Sequence, residues 1–290
     1  MNQFSLEYLR CVNCNNTLEI DILEQSDEIK EGFLECKNCS NRYIIISKIP
    51  IMQSNLTSYL SNRAQLGGYL MTRAKNEKLK SFIKKSLDKI KSSSDVTPLE
   101  KRWVDTYKNS TRSKFYCHIK ISLKKLPKFD LVLEHGCSIG HIAKYLAKKH
   151  KTVFGIDQSF FAISEAKQNH FTNLDFFVAN SLNHPFGENK FGLVVGLNLL
   201  ELVEPLDLLN VISSQASDVL LMSDPYDFER GPNSVKHRVD SQSIRTEFQK
   251  RGFALTSKTR KPTFLPWKLN VNSRLSLHYK VDLIIAKKFQ

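Results

Sequence analysis

From residue 131 onward, short apolar runs alternate with helical patterns. Leu131, Val132 and Leu133 form a run too brief for a helix, which stops at Glu134 and a turn holding Gly136 and Gly140. Ile142, Ala143, Leu146 and Ala147 then recur at helical spacing, and residues 152–156 make a second apolar run ending on Asp157. Downstream, residues 159–170 read as a helix with Phe160, Phe161, Ile163 and Ala166 inward, 174–182 as a third strand and its turn, and 191–196 as a fourth strand. A helix begins near Pro205 and a fifth strand covers 218–223; Asp240 caps a helix over 241–250 that stops at Gly252, and 253–257 and 279–286 alternate like two last strands. The pattern predicts an α/β fold.

The first half reads differently. Leu79, Phe82, Ile83, Leu87 and Ile90 share one helical face, with Lys78, Lys80, Lys84, Lys85, Lys89 and Lys91 around the rest, until Ser92–Ser94 and Pro98 interrupt it. Further helices are predicted over 99–107, carrying Trp103, and over 113–126, carrying Phe115, Tyr116, Ile119 and Leu123. Before them, 1–53 is a separate segment with two C-x2-C knuckles, Cys11/Cys14 and Cys36/Cys39. The expected organisation is a ribbon at 1–53, a basic helical linker at 54–129 and the α/β domain at 130–290.

Charge sharpens this division. The chain has 290 residues and a formal net charge of +14; residues 1–55 carry a net −3, 56–130 a net +12 and 131–290 a net +5. The basic excess is therefore local, and it marks 56–130 as a candidate contact surface. A lysine-rich helical face is ordinarily just solvated; RNA held through its backbone is the alternative partner. No apolar run approaches the roughly 18 residues of a membrane span, and the N-terminus lacks a signal peptide's apolar body, so a soluble, cytoplasmic protein is expected. In that compartment the six cysteines stay reduced, which favours metal over disulfides.

Two knuckles from adjacent hairpins complete a tetrahedral S4 site, so Cys11, Cys14, Cys36 and Cys39 are expected to hold a structural Zn2+ that closes its coordination sphere and does no chemistry. With the R-Y-I-I-I-S-K-I-P-I-M run at 42–52, the segment resembles a Trm112-like zinc ribbon, with Lys48 where that family usually has glycine. Such ribbons occur fused ahead of methyltransferase domains, as in a bacterial ribosomal RNA guanine methyltransferase.

The 131–157 unit is how parallel sheets hold an adenosine-bearing ligand: glycines let it approach the backbone and the acid binds ribose hydroxyls. Its E-x-G-x-S-x-G spacing (Glu134, Gly136, Ser138, Gly140) resembles the first motif of class I S-adenosylmethionine-dependent methyltransferases, with Ser138 at the middle glycine, where a serine fits if its φ is negative. Asn180, before Ser181, stands where the family has an acid for the adenine amine, and L-N-L-L-E-L-V at 197–203 resembles the fourth motif. The resemblance implies an open seven-stranded, Rossmann-like sheet in the order 3-2-1-4-5-7-6 with its last strand antiparallel. It also implies S-adenosylmethionine contacts from Glu134, His135, Gly136, Cys137, Ser138, Gly140, Asp157, Gln158, Asn180, Ser181, Leu197 and Asn198. Candidate bases are Asp224, Tyr226, His237 and His278, each with a structural reading beside it: strand-end cap, packing, solvated loop, strand edge. Cys117 and Cys137 stand alone and read as inert thiols. The acceptor is expected to be a small molecule, since the insertion at 261–278 is apolar around Phe264, Leu265 and Trp267 and no RNP, KH or helix-turn-helix signature is present. Ribosomal or transfer RNA is the second choice, and a catalytically silent binding scaffold, motivated by Ser138 and Asn180, the third.

Overall fold

The computed structural model describes residues 1–91, 94–229 and 235–289; Ser92 and Ser93, part of the expected helix break, lie outside them. After a 3-10 turn at Gln3–Glu7 come strands β1 (Glu19–Gln25), β2 (Ile29–Glu35), β3 (Arg42–Ile46) and β4 (Ile49–Met52). Helices α1 (Leu56–Leu60), α2 (Ala64–Arg73), α3 (Glu77–Leu87), α4 (Thr97–Ser110) and α5 (Lys114–Lys124) follow. The alternating part runs β5 (Leu131–His135), α6 (His141–Ala147), β6 (Thr152–Asp157), α7 (Phe160–Ala166), β7 (Leu174–Ala179), β8 (Phe191–Leu197), α8 (Pro205–Gln215) and β9 (Ala216–Asp224). It closes with α9 (Ser243–Lys250), β10 (Phe253–Leu255), β11 (Leu265–Asn270) and β12 (Ser276–Lys288).

Hydrogen-bonded neighbours run β1-β2-β3-β4-β7-β6-β5-β8-β9-β12-β10, with β11 paired to β12. The stretch from β7 to β10 has the expected order, and β12 is antiparallel to β9. Among the described residues the sheet has twelve strands where seven were expected, because the ribbon joins the sheet and because the insertion at 261–278 contains a strand, β11. β4 pairs in parallel with β7 at Ile51↔Val178 and Met52↔Ala179. An outer strand with unpaired amides is a liability, and the ribbon's last strand removes it from β7.

The chain divides into two compact units: Met1–Val104, Ser138–Gly140 and Ile156–Asn189 form the first, and Asp105–Cys137, His141–Gly155 and Lys190–Gln290 the second. In the first, the meander β1–β4 is closed by a two-residue turn at Ser47 and Lys48, with φ of 51° and 69°, the left-handed pair that matches strand twist. α3 buries Leu79 and Ile83 completely and sets Phe82 edge-on to Phe33 of β2, ring centroids 5.4 Å apart. Its apolar face thus leans on the ribbon. β7 is buried along its whole length, as a strand covered on both faces must be. A buried charge cluster ties ribbon to strand: Lys167 bridges Glu28 at 2.9 Å and also pairs with Asp175 of β7, whose other oxygen accepts from Asn2 N and Ser5 Oγ at 2.7 Å each.

In the second unit, β5, β8 and β9 carry Val132, Leu133, Leu193, Val194, Val195, Leu220 and Leu221 at 0–1% exposure. β11 points Trp267 and Leu269 inward. Trp267 is 1% exposed and lies 5.2 Å from Phe115 of α5, 5.5 Å from Tyr279 and 6.4 Å from Tyr107. The insertion is therefore a hairpin strand that packs α5 onto the sheet. Near its base, Arg245 of α9 forks onto Asp282 of β12 at 2.6 and 2.9 Å, and the Tyr226 hydroxyl donates to the same carboxylate at 3.0 Å.

Candidate functional site

The four cysteine sulfurs of 11, 14, 36 and 39 lie within 4.8 Å of one another. Cys11 and Cys39 are 3.5 Å apart, and Cys14 and Cys36 3.4 Å. A Zn–S bond of about 2.3 Å in a tetrahedron implies sulfur–sulfur edges of about 3.8 Å, so the donor set fits zinc. The buried Tyr43 hydroxyl sits 3.0 Å from Cys11 Sγ and accepts from Val12 N at 3.1 Å, an outer contact that orients a ligand thiolate. Four sulfurs leave no open position for substrate.

In the first unit, the tip of β6 is held from several sides. Asp157 Oδ2 accepts from Ser138 N at 2.9 Å, and Oδ1 from Ser159 N at 2.8 Å. Burial pushes its carboxyl above the usual range, while these amides and the Arg63 guanidinium pull it back. The next residue, Gln158, is fixed by its carbonyl, which accepts from the Tyr59 hydroxyl of α1 at 2.8 Å. Arg63 lies over the Tyr59 ring, 4.5 Å from its centroid, and donates Nε to Glu100 of α4 at 2.9 Å. Burial raises the Glu100 carboxyl; Arg63 opposes this and the Asp157 charge adds to it. Helices that precede the alternating part thus build the surroundings of Asp157.

One expectation for the loop is corrected. Ser138 has φ of +47°, in the left-handed region, so the residue replacing the motif's middle glycine adopts the conformation that glycine serves. Gly136 and Gly140, with φ of +61° and +70°, are required by packing as well: a Cβ on Gly136 would stand 2.3 Å from Leu199, and one on Gly140 2.5 Å from the Phe176 ring. Protein, not ligand, occupies those directions. Asn180 Oδ1 accepts from Leu182 N at 2.9 Å in its own turn, and Ser181 is buried beside it, so the oxygen expected to meet adenine already has a donor.

In the second unit, Glu134 and Cys137 are buried at the end of β5. His135 is fully buried with Nε2 2.7 Å from Gln215 Oε1 of α8; its ring braces helix against sheet. Tyr116, on α5, packs edge-on to His141 at 4.9 Å, its phenol pushed up by burial and by the nearby Tyr107 and Glu134. Leu197 ends β8, and Asn198 follows with φ of +57°, its N–H donating to Ser223 O at 2.6 Å and its Oδ1 accepting from Ser223 Oγ at 3.0 Å.

The candidate bases have partners of their own. Asp224 accepts from Leu200 N at 2.9 Å and Tyr226 N at 2.8 Å, which makes it a cap between two strand-end loops. Tyr226 has φ of +54°, and burial together with Asp282 drives its phenol upward. His237 is exposed, with Nδ1 2.7 Å from Glu204, and His278 is exposed on β12 beside Ser276 at 3.0 Å. Both oxygens of Asp224 are thus occupied by backbone donors, whereas His237 meets Glu204 only through Nδ1. The reasoning from sequence missed Tyr59, Arg63 and Glu100; the i, i+4 spacing of Tyr59 and Arg63 was the one signal available, and nothing local points to Glu100.

Residues 132–220 match the family model for a methyltransferase domain. The match begins in β5 and ends in β9. Among solved structures, the complex between the Haloferax volcanii Trm112 methyltransferase activator and a protein described as a methyltransferase is 15% identical, with 68% of this chain and 98% of that chain covered and a TM-score of 0.52. Magnesium protoporphyrin IX methyltransferase from Synechocystis, with bound S-adenosylhomocysteine, is 17% identical over 65% of this chain and 93% of its own, with a TM-score of 0.47. The N-methyltransferase NodS from Bradyrhizobium japonicum is 16% identical over 62% and 99%, also at 0.47. At these identities the likeness is one of fold. No curated protein matches the chain. Among the described residues no helix is long and apolar enough to cross a membrane.

Proposed function

We propose that the chain is an S-adenosylmethionine-dependent methyltransferase. The observation that carries this is the bond from Ser138 N to Asp157 Oδ2 at 2.9 Å: a carboxylate ending the strand after the glycine turn is tied to that turn's backbone. Each Asp157 oxygen receives one amide proton and keeps a lone pair, a pair of acceptors suited to the two hydroxyls of a ribose. When bound, the cofactor supplies an electrophilic methyl group on a sulfonium. The chain's own duties are to grip and orient it and to exclude water. Asp157 takes the ribose, the turn at 136–140 offers its backbone, and Asn180 and Ser181 lie on the adenine side in this reading; Glu134, Cys137, Leu197 and Asn198 complete the set by resemblance. No side chain is assigned as base, since aligning the nucleophile suffices for an acceptor that arrives deprotonated.

We further infer that the zinc ribbon is of the Trm112 kind. Lys48, at the position where that pattern has glycine, has φ of +69°, the conformation a glycine there would serve. For the acceptor, the apolar insertion that favoured a small molecule is used in packing at Trp267, although Phe264 remains 71% exposed.

Calorimetric titration with S-adenosylmethionine tests the reading. The protein should bind, and Asp157→Ala should weaken binding about 10- to 100-fold, since charge-assisted hydrogen bonds contribute about 1.5–3 kcal/mol. No heat and no thermal stabilisation with the unaltered chain would leave a binding scaffold in its place.

A further inference from the structure

Positive charge is handled differently at two places in the fold. In and beside the ribbon most cations have an acid: Lys30 and Lys75 with Glu24, Lys37 with Glu19, Arg42 with Glu35, Lys48 with Glu28. At the edge where α5 ends and α6 ends, in the second unit, the lysines stand without acids. Lys120, Lys124, Lys128, Lys148, Lys149 and Lys151 form no ion pair among the described residues. Lys124, Lys148 and Lys149 line one cavity of about 310 Å³, floored by Leu123, Leu146 and His150. Lys120 is close enough to Lys148 that burial and then this neighbour lower its ammonium. His150, stacked on Phe129 at 5.7 Å and receiving Phe129 N–H on Nδ1 at 3.0 Å, is held at about 4 by burial, then Lys149 and Lys128. It therefore stays neutral and adds no charge to the patch. Lys149 donates to Lys124 O at 3.1 Å and to Leu126 O, so the carbonyl end of α5 fixes it in place.

We propose that this edge is a docking surface for the phosphate backbone of unpaired RNA. Unpaired like charges gathered around a concavity complement a flexible polyanion, whose successive phosphates can follow the recess; a stiff duplex cannot bend into it. The group holds lysine and no arginine, so it reads charge and not base edges. A bilayer is the poorer fit, because Ile121 is the one large apolar side chain of α5 that is exposed, leaving little to insert. The sequence placed its RNA candidate across 56–130, but half of this surface, Lys148, Lys149 and Lys151, follows the glycine turn. On α5 (Lys114–Lys124), Tyr116 lies beside His141 and Lys124 follows it by eight residues, which sets the end of the patch about 12 Å from the start of α6. The surface anchors RNA and does not present the atom to be modified. Binding here does not require the methyl-transfer reading; only RNA as acceptor rests on it.

The test is fluorescence anisotropy with a labelled oligouridine of about twenty nucleotides over a salt series. The full chain is compared with two triple variants of equal charge: Lys124→Gln/Lys148→Gln/Lys151→Gln at the patch, and Lys78→Gln/Lys84→Gln/Lys85→Gln on the exposed side of α3. The patch triple should bind about tenfold or more weakly, with its log–log salt slope smaller by about 2, since each single-strand phosphate contact contributes about 0.7. The α3 triple should stay within about threefold, and both should keep the parent melting temperature. Equal weakening by both triples, no binding by the parent at low salt, or tighter binding to duplex DNA or to phosphatidylserine vesicles would overturn the proposal. A parent that binds RNA but not S-adenosylmethionine leaves this surface standing and removes the enzyme; the reverse result removes only the surface.

Discussion

Two residues stand where the families they resemble use glycine, and both adopt glycine's conformation: Ser138 at φ +47° and Lys48 at φ +69°. A left-handed L-residue costs about 1–2 kcal/mol, and glycine's extra unfolded-state entropy offsets about 0.5–1 of that. Ser138→Gly should therefore raise stability by about 0.5–1 kcal/mol, read as a shift of the urea midpoint at unchanged slope; a lower midpoint would mean that the serine hydroxyl holds the turn. Lys48 is not an equivalent case. Its ammonium pairs with the buried Glu28 at 3.0 Å, so strain and ion pair oppose one another. The identity of Asp157 was legible from its place after an apolar run, and that of Tyr59, Arg63 and Glu100 was not, because their meaning comes from a neighbour about a hundred residues away or less tied to a local pattern.

The ribbon illustrates how an element's boundaries depend on its surroundings. Its metal site could be read from spacing, since two C-x2-C turns have few other uses. Its attachment could not: the pairing of β4 with β7 links residues 51 and 178, and no local pattern encodes that register. Removing the metal should consequently do more than loosen four cysteines. With a chelator, or in Cys36→Ser, the meander β1–β4 should become protease-sensitive and the edge of β7 should be exposed, measured by limited proteolysis beside metal analysis showing one zinc per chain in the untreated protein. Freshly purified protein without zinc, resistant to protease all the same, would contradict this. β11 was missed for a related reason: prolines at 262 and 266 suggest an irregular insertion, yet Pro266 is exposed on an edge strand, where a missing N–H is harmless.

At the scale of the whole molecule, stability is linked to pH through the cluster that joins ribbon to sheet. Burial would raise the Glu28 carboxyl, but Lys167 and the Met1 ammonium outweigh it and hold it at about 2, against an ordinary 4.5. A carboxylate lowered by folding contributes stability that is complete above its unfolded value and is lost as pH falls toward the folded one. Resistance to urea should therefore decline between pH 4.5 and 2, and Glu28→Gln should be weaker at pH 7 yet flatter across that window; parallel curves would show that Glu28 is not the linked group. The glycine turn, the acid after it and the four cysteines were determined by sequence alone, because each is a short-range pattern of size, period and spacing; the strand order from β7 to β10 was an expectation carried by the family resemblance. The tertiary structure alone decided the twelve-stranded count, the duties of Asp224, Tyr226 and His135, and the separation of paired from unpaired lysines. Those depend on which distant groups meet, and a hydrogen bond or an ion pair exists only once its partner has been brought within about 3–4 Å.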